Sequence, residues 1–306
     1  MKVIDGWAKT LELGTMRISL IASMIYWAFA FSSYGITLEE YASRQPLVIQ
    51  SVQRGEAVDL GKGNQTNNLK EGGKVLLLSG RGLSSLEGIS RLKVMEEGRQ
   101  VALQDVPDLQ IFLNDNVLTE VPQEIGALSK VTFLYCIKNP IREIPTALAN
   151  MQALQGIYFT DNDIAEIPPF IFAMKQLRKL QVSKNHLKVL PPEISHLTRL
   201  IHLNLSENEI AEVPATIANL TKLRVCDLSG NRLERLPEEF GKVKILYQLR
   251  VANNPLTSLP EGFANMPGTI DVFGTSIRKE DLPEALQRKI SREKPLVKPK
   301  VSEQTD

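Results

Sequence analysis

The sequence predicts an α/β repeat solenoid, a curved stack of short parallel strands joined by return segments on the opposite face. Three observations carry that expectation. Asn116, Asn139, Asn162, Asn185, Asn208, Asn231 and Asn254 follow one another at intervals of 23 residues. Pro122, Pro145, Pro168, Pro191, Pro214, Pro237 and Pro260 keep the same interval. The residues eight, five and three places before each asparagine are mostly aliphatic, as Leu177, Leu180 and Val182 are before Asn185. Self-similarity at a fixed period of roughly 20–50 residues is the signature of stacked supersecondary units.

Each part of the unit has a physical reason. Alternation of the two apolar residues nearest the asparagine places one strand face inward and leaves the intervening side chains outward. The proline stops the sheet from continuing and starts an irregular return. Ile194 and Leu197, or Ile217 and Leu220, supply the inward side chains of that return. One unit cannot bury its own apolar face, so stacking must make the core continuous.

The clearest unit, "LIHLNLSENEIAEVPATIANLTK" from Leu200 to Lys222, reads L-x-x-L-x-L-x-x-N-x-I-x-x-V-P-x-x-I-x-x-L. It resembles the leucine-rich repeat family in its 23-residue bacterial and plant-intracellular Ras-group form, with the L-P-x-x-I signature, over about residues 75–282. The resemblance implies a horseshoe with its parallel strands on the concave face, where ligands commonly bind. It also implies that Asn116, Asn139, Asn162, Asn185, Asn208, Asn231 and Asn254 turn inward and bond to the backbone of neighbouring repeats as a ladder, which would give those buried amides partners.

The repeat domain is expected over 74–282. "KVLLLSGRGLSSLEGI" (74–89) reads as a degenerate first repeat with Arg81 in the asparagine position. The step from Arg81 to Asn116 is 35 residues, 12 more than one period, which places an insertion near 92–107. Seven regular repeats follow, then an altered last one with Thr275 replacing asparagine. Residues 31–73 are expected to be an N-terminal cap with a helical "TLEEYASRQPLVIQSV" and a flexible linker, "GKGNQTNNLKEGG". Residues 283–306 read as a short capping helix and a disordered tail.

"ISLIASMIYWAFAF" (18–31) is an uncharged apolar run behind Arg17, shorter than the roughly 20 residues that span a bilayer. It ends in Ala28-Phe29-Ala30, the small-x-small pattern of a signal-peptide cleavage site, so residues 1–30 are expected to be removed after Ala30. An uncleaved membrane anchor and a buried helix remain as alternatives, and Met16 is a second candidate start. Cleavage implies a secreted, periplasmic or cell-envelope protein; retention implies a membrane-anchored one.

The outward rows of the strands are where a partner would be met. The residues four before each asparagine are Phe112, Tyr135, Tyr158, Gln181, Asn204, Asp227 and Arg250, and two places earlier stand Gln110, Phe133, Gly156, Lys179, His202, Val225 and Gln248. Phe112, Phe133, Tyr135 and Tyr158 form an aromatic patch in three successive repeats, the kind of surface that marks interaction sites. The cap or the insertion folding over these rings is the competing expectation. With Lys179, Gln181, His202, Asn204, Asp227 and Arg250, the four aromatics make up the candidate partner-binding set. Glu120, Glu143, Glu166 and Glu212 recur four residues after the asparagine and read as a solvated flank.

Little else in the chain carries chemistry. Formal charge is +1, from 36 basic and 35 acidic residues, so no global field draws nucleic acid or anionic membrane. Cys136 and Cys226 fall at inward strand positions four repeats apart, roughly 19 Å at ordinary strand spacing, beyond the ~7 Å that a disulfide bridges. His186, His196 and His202 stand in different registers and complete no metal set. "GKGN" (61–64) lacks phosphate-loop spacing, and the sequons at Asn64, Asn204 and Asn219 read as incidental. The sequence therefore points to a non-enzymatic exported or envelope-associated protein-binding module. It needs no cofactor or metal, takes a protein ligand and no nucleic acid, and touches membrane only through an uncleaved N-terminal segment. A membrane-anchored or cytoplasmic signalling scaffold is the alternative.

Overall fold

The computed structural model describes residues 35–51, 58–59, 65–66, 73–243 and 246–291. The expected signal segment lies outside them. No helix among the described residues is long and apolar enough to cross a membrane.

The chain opens with β1 (Ile36–Thr37) and α1 (Leu38–Arg44), followed by β2 (Ile49–Ser51). Thr37 caps α1 by accepting the Glu40 N–H at 3.1 Å, and Leu38 is fully buried beneath it. Two further short strands, β3 (Val58–Asp59) and β4 (Gln65–Thr66), pair antiparallel, so the segment expected to be a flexible linker contains part of a two-stranded ribbon. Then come β5 (Lys74–Leu77), β6 (Leu83–Ser85), and the hairpin of β7 (Lys93–Glu96) and β8 (Arg99–Ala102). That hairpin is the insertion, and it packs on the cap. The Met95 N–H donates to the Leu47 carbonyl at 2.7 Å, and Lys74 Nζ lies 2.6 Å from Glu96 Oε1.

The regular repeats contribute β9 (Leu109–Phe112), β10 (Val131–Tyr135), β11 (Gly156–Tyr158), β12 (Lys179–Gln181), β13 (His202–Asn204), β14 (Val225–Asp227) and β15 (Gln248–Arg250). The sheet closes with β16 (Thr269–Asp271) and β17 (Ile290–Ser291). Among the described residues it has eleven strands, ordered β2-β5-β9 and then sequentially to β17. Neighbours are parallel except β2, which runs antiparallel to β5 and covers the first edge. The register is the one the period demands. Leu180 pairs with Leu203 and Leu203 with Cys226, all inward and buried.

The convex side is built from 3-10 turns rather than α-helices. Gln123–Ala127, Thr146–Asn150, Pro192–His196, Ala215–Asn219, Glu238–Lys242 and Glu261–Asn265 each follow directly on a proline of the 23-residue series. Such prolines are pre-set near the φ the turn entry needs. In the repeat of Pro168 the turn is a short helix, α2 (Phe170–Ala173). A five-residue turn fits a 23-residue repeat, whereas a longer helix would lengthen the return. Towards the C-terminus Phe240 and Phe263 meet edge to face at 5.4 Å. Their turns approach so closely that a Cβ on Gly241 would stand 2.7 Å from the Gly262 Cα.

The asparagine ladder is present throughout the seven repeats. Asn208 is typical: its Oδ1 accepts the Leu187 N–H at 3.0 Å, and its Nδ2 donates to the carbonyls of Val182 at 2.9 Å and Leu205 at 3.0 Å. The partners lie 21 residues back for the N–H and 26 back for the carbonyl. For Asn116 the same two partners, Leu83 and Leu78, lie 33 and 38 back, each longer by the twelve residues of the insertion. Thr275 ends the ladder; its hydroxyl donates to the Val272 carbonyl of its own turn at 2.8 Å.

Two features depart from the sequence reading. Ile290–Ser291, expected within the capping helix and tail, pairs with β16 as a last parallel strand after α3 (Glu284–Gln287). The residue before every ladder position also adopts a left-handed backbone: Gly80, Asp115, Lys138, Asp161, Lys184, Glu207, Gly230, Asn253 and Gly274 have φ between 53° and 69°. The strand exit turns sharply there so that the next side chain points inward. Non-glycine residues accept that conformation only because the packed stack over-determines it.

Candidate protein-binding face

The strand register sets the outward side chains in rows on the concave face. Phe112, Tyr135 and Tyr158 are direct partners across β9, β10 and β11. Their rings stack at centroid separations of 4.2 Å, with interplanar angles of 9° and 19°. That spacing is slightly under the usual inter-strand distance of about 4.8 Å, so each ring covers its neighbour's face. Phe133, in the parallel row, lies 6.4 Å from Tyr135. It leans over Gly156, where an added Cβ would come within 2.3 Å of the Phe133 ring. Lys179 Nζ sits 5.8 Å from the centroid of that ring, in reach of a cation–π contact.

Exposure differs from the expectation. Phe112 is fully buried, enclosed by Val75 and Leu77 of the preceding strand and by Tyr135. Tyr158, Gln110 and Asp227 are also buried. Phe133, Tyr135, Lys179, Gln181, His202, Asn204 and Arg250 remain half-buried. The side chains that cover Phe112 belong to β5 of the first repeat, and the insertion hairpin bonds elsewhere, at Leu47 and Lys74. Beyond the aromatics the surface turns polar. Arg250 Nη1 lies 3.5 Å from Asp227 Oδ2, and the Asn204 side-chain oxygen accepts from the Ser206 hydroxyl at 2.8 Å. Asp227 is thus committed to the protein's own Arg250.

Burial governs the titration of this face. It pushes Tyr158 up to about 12. Tyr135 is raised further, by burial first and then by the neighbouring Tyr158. Burial, then Arg178, lowers Lys179; burial, then Lys179, lowers His202. A tyrosine whose folded pKa is raised stabilises the fold below its unfolded pKa of about 10. That contribution is lost as pH climbs from there through about 12, because the unfolded chain releases the proton first. Alkaline titration of the tyrosinate absorbance is therefore expected to show Tyr135 and Tyr158 ionising at higher pH in the folded protein than after unfolding in guanidinium. Loss of that difference in the Tyr135→Phe, Tyr158→Phe variant would assign it to the stack, and its absence from the parent would contradict it.

Elsewhere the candidate chemistry is structural. Cys136 and Cys226 are free and buried, and burial pushes both thiols well above their ordinary range. Among the described residues no three His, Cys, Asp or Glu side chains gather as metal ligands. Glu120, Glu143, Glu166 and Glu212 are all exposed on the strand-exit flank.

A family model described as leucine rich repeat matches residues 175–233. The matched segment carries leucine-rich repeats, and the fold is that of a leucine-rich repeat solenoid. Among solved structures, the chain is similar to a leucine-rich repeat protein of Leptospira interrogans, at 29% identity and a TM-score of 0.58, over 61% of this chain and 50% of that one. It is similar at 28% identity and a TM-score of 0.55 to the leucine-rich repeat ectodomain of the Arabidopsis thaliana receptor kinase GASSHO1/SCHENGEN3, solved with Casparian strip integrity factor 2, over 61% and 24% of the two chains. Internalin C2 of Listeria monocytogenes shares the fold at 20% identity and a TM-score of 0.53, over 66% of this chain and 78% of that one. A curated relative, the heat-inducible transcription repressor HrcA of Staphylococcus epidermidis, is 26% identical over 153 residues. This chain spans less than half the length of that relative, 46%, and half of the Leptospira chain.

The leucine-rich repeats bring together, in adjacent registers, every residue of the candidate partner set. What sequence reasoning missed is that Val75 and Leu77 extend the outward rows by one strand and shut Phe112 in. The apolar "KVLLL" run of the first repeat carried that signal, since both of its faces are aliphatic.

Proposed function

We propose that the protein is a non-enzymatic, exported or envelope-associated binding module that grips a protein ligand on its concave face. The observation that carries this reading is the half-buried step formed by Phe133, Tyr135 and Lys179. Two aromatic rings and a partly desolvated ammonium stand there beside the polar Gln181, His202, Asn204 and Arg250. Rigid aromatics beside fixed polar groups are what interface hot spots are made of. Phe112, Tyr158 and Asp227 serve this site from beneath as supports for the exposed groups. The plant receptor ectodomain, solved with its integrity factor, supports a polypeptide ligand for a stack of this type.

A photo-crosslinking side chain placed at Gln181 is expected to give a discrete adduct in cells, and the same group at Glu193 on the convex turn is expected to give none. Equal adducts from both positions, or none from Gln181, would sink the concave-face reading. Export is tested separately by reading the N-terminal residue of tagged protein after fractionation. A start at Phe31 outside the cytoplasm supports it. An intact N-terminus with cytoplasmic repeats favours the scaffold instead.

A further inference from the structure

The two flanks of the stack carry charge differently. Where the chain enters β10 to β14, residues 128–132, 151–155, 174–178, 197–201 and 220–224 contain no aspartate or glutamate but six basic residues: Lys130, Lys175, Arg178, Arg199, Lys222 and Arg224. Lys130 lies 3.7 Å from Asp105. The other five are exposed, and none of them is ion-paired among the described residues. The exit flank is the opposite: Lys138 faces Asp115 at 3.8 Å, Lys184 faces Glu207 at 3.7 Å, and Arg232 meets Glu209 at 2.7 Å. An ordinary solvated surface intersperses both signs, because a row of one sign repels itself. The crowding is felt on the concave face, where Arg178 adds to burial in lowering Lys179.

We infer that this entry flank docks an acidic, extended polypeptide segment of the protein's partner, a reading that deepens the proposed function and rests on it. Arg178, Arg199 and Lys222 share one shallow recess with Gln152, Gln155 and Gln176. Guanidinium groups take carboxylates in paired, charge-assisted hydrogen bonds, and primary amides can both donate to and accept from a peptide backbone. Successive repeats are about 4.8 Å apart at the strands, so the basic groups form a narrow line suited to one extended chain rather than a plane. A phosphodiester duplex or an anionic bilayer is disfavoured by the formal charge of +1, since proteins that hold those polyanions are strongly basic as a whole or across a broad patch.

The test measures binding of a fluorescein-labelled decaglutamate peptide to the full chain by fluorescence anisotropy. The comparison is a variant carrying Arg178→Ser, Arg199→Ser, Lys222→Ser and Arg224→Ser. All four side chains are exposed, so an unchanged thermal midpoint is expected and verifies the fold. The parent should bind, weaken as salt rises from about 50 to about 300 mM, and lose about tenfold or more in affinity in the variant. No binding by the parent, or equal binding by the variant, overturns the inference. So does tighter binding to phosphatidylserine vesicles or a DNA duplex that the same substitutions abolish. The two readings fail separately. Loss of the Gln181 adduct's specificity with peptide binding intact strikes the concave face, and the reverse strikes the flank.

Discussion

Replacing Asn208 by alanine is expected to lower the unfolding free energy by about 3–5 kcal/mol, measured by urea denaturation followed by circular dichroism. The amide makes two bonds that nothing else replaces. Its loss strands the Leu187 N–H and the Val182 carbonyl inside the stack, and each orphaned buried group costs about 1–3 kcal/mol. The Leu205 carbonyl is spared, because Asn231 also donates to it, at 3.0 Å. Asn208→Asp is a sharper version of the same test. A carboxylate can still accept from Leu187, but its second oxygen would face the two carbonyls that the amide now serves. Repeats are held largely by nearest-neighbour interfaces, so a break in the middle of the array weakens both halves. A loss under about 1 kcal/mol for the alanine variant would mean that water reaches these groups and that the ladder is not a sealed interior feature.

The second large effect is assigned to Phe112. Its truncation to alanine is expected to cost about 3–5 kcal/mol, the usual range for a fully buried phenylalanine. Its ring has no exposed area and is pressed between the β5 side chains and Tyr135 at 4.2 Å. The same change should release Tyr135, lowering that residue's alkaline pKa towards its ordinary value as water enters. Phe133→Ser, on the half-buried rim, is the contrast, with a stability change of about 1 kcal/mol or less and a loss of crosslinking at Gln181. If Phe112→Ala leaves the urea midpoint where it was, the ring is not enclosed, and the wider aromatic patch expected from the sequence becomes the better description.

Much of the fold was legible because a repeat writes the same local instructions many times. Asn116 to Asn254, the paired prolines and the inward aliphatics defined the strand register, and the twelve-residue excess between Arg81 and Asn116 located the β7–β8 hairpin. Other features left no comparable mark. Ile290–Ser291 is too short to carry an alternation of its own, and it becomes a strand only because β16 presents an open edge. The left-handed exits were marked unevenly: Gly80, Gly230, Asn253 and Gly274 are residues that favour the conformation, but Lys138, Lys184 and Glu207 at the equivalent positions break the series.

What the sequence determined by itself was therefore the periodic part: which residues face inward, where each strand ends, and which side chains share a row. Those properties follow from chain geometry within one unit, and the stack adds them up. Only the tertiary structure decided how much of each row meets solvent. Exposure of Phe112 depends on Val75 and Leu77 one strand away, that of Phe133 on the absence of a side chain at Gly156, and the freedom of Asp227 on Arg250. Burial is a property of neighbours brought together by stacking, and no single repeat contains its neighbours.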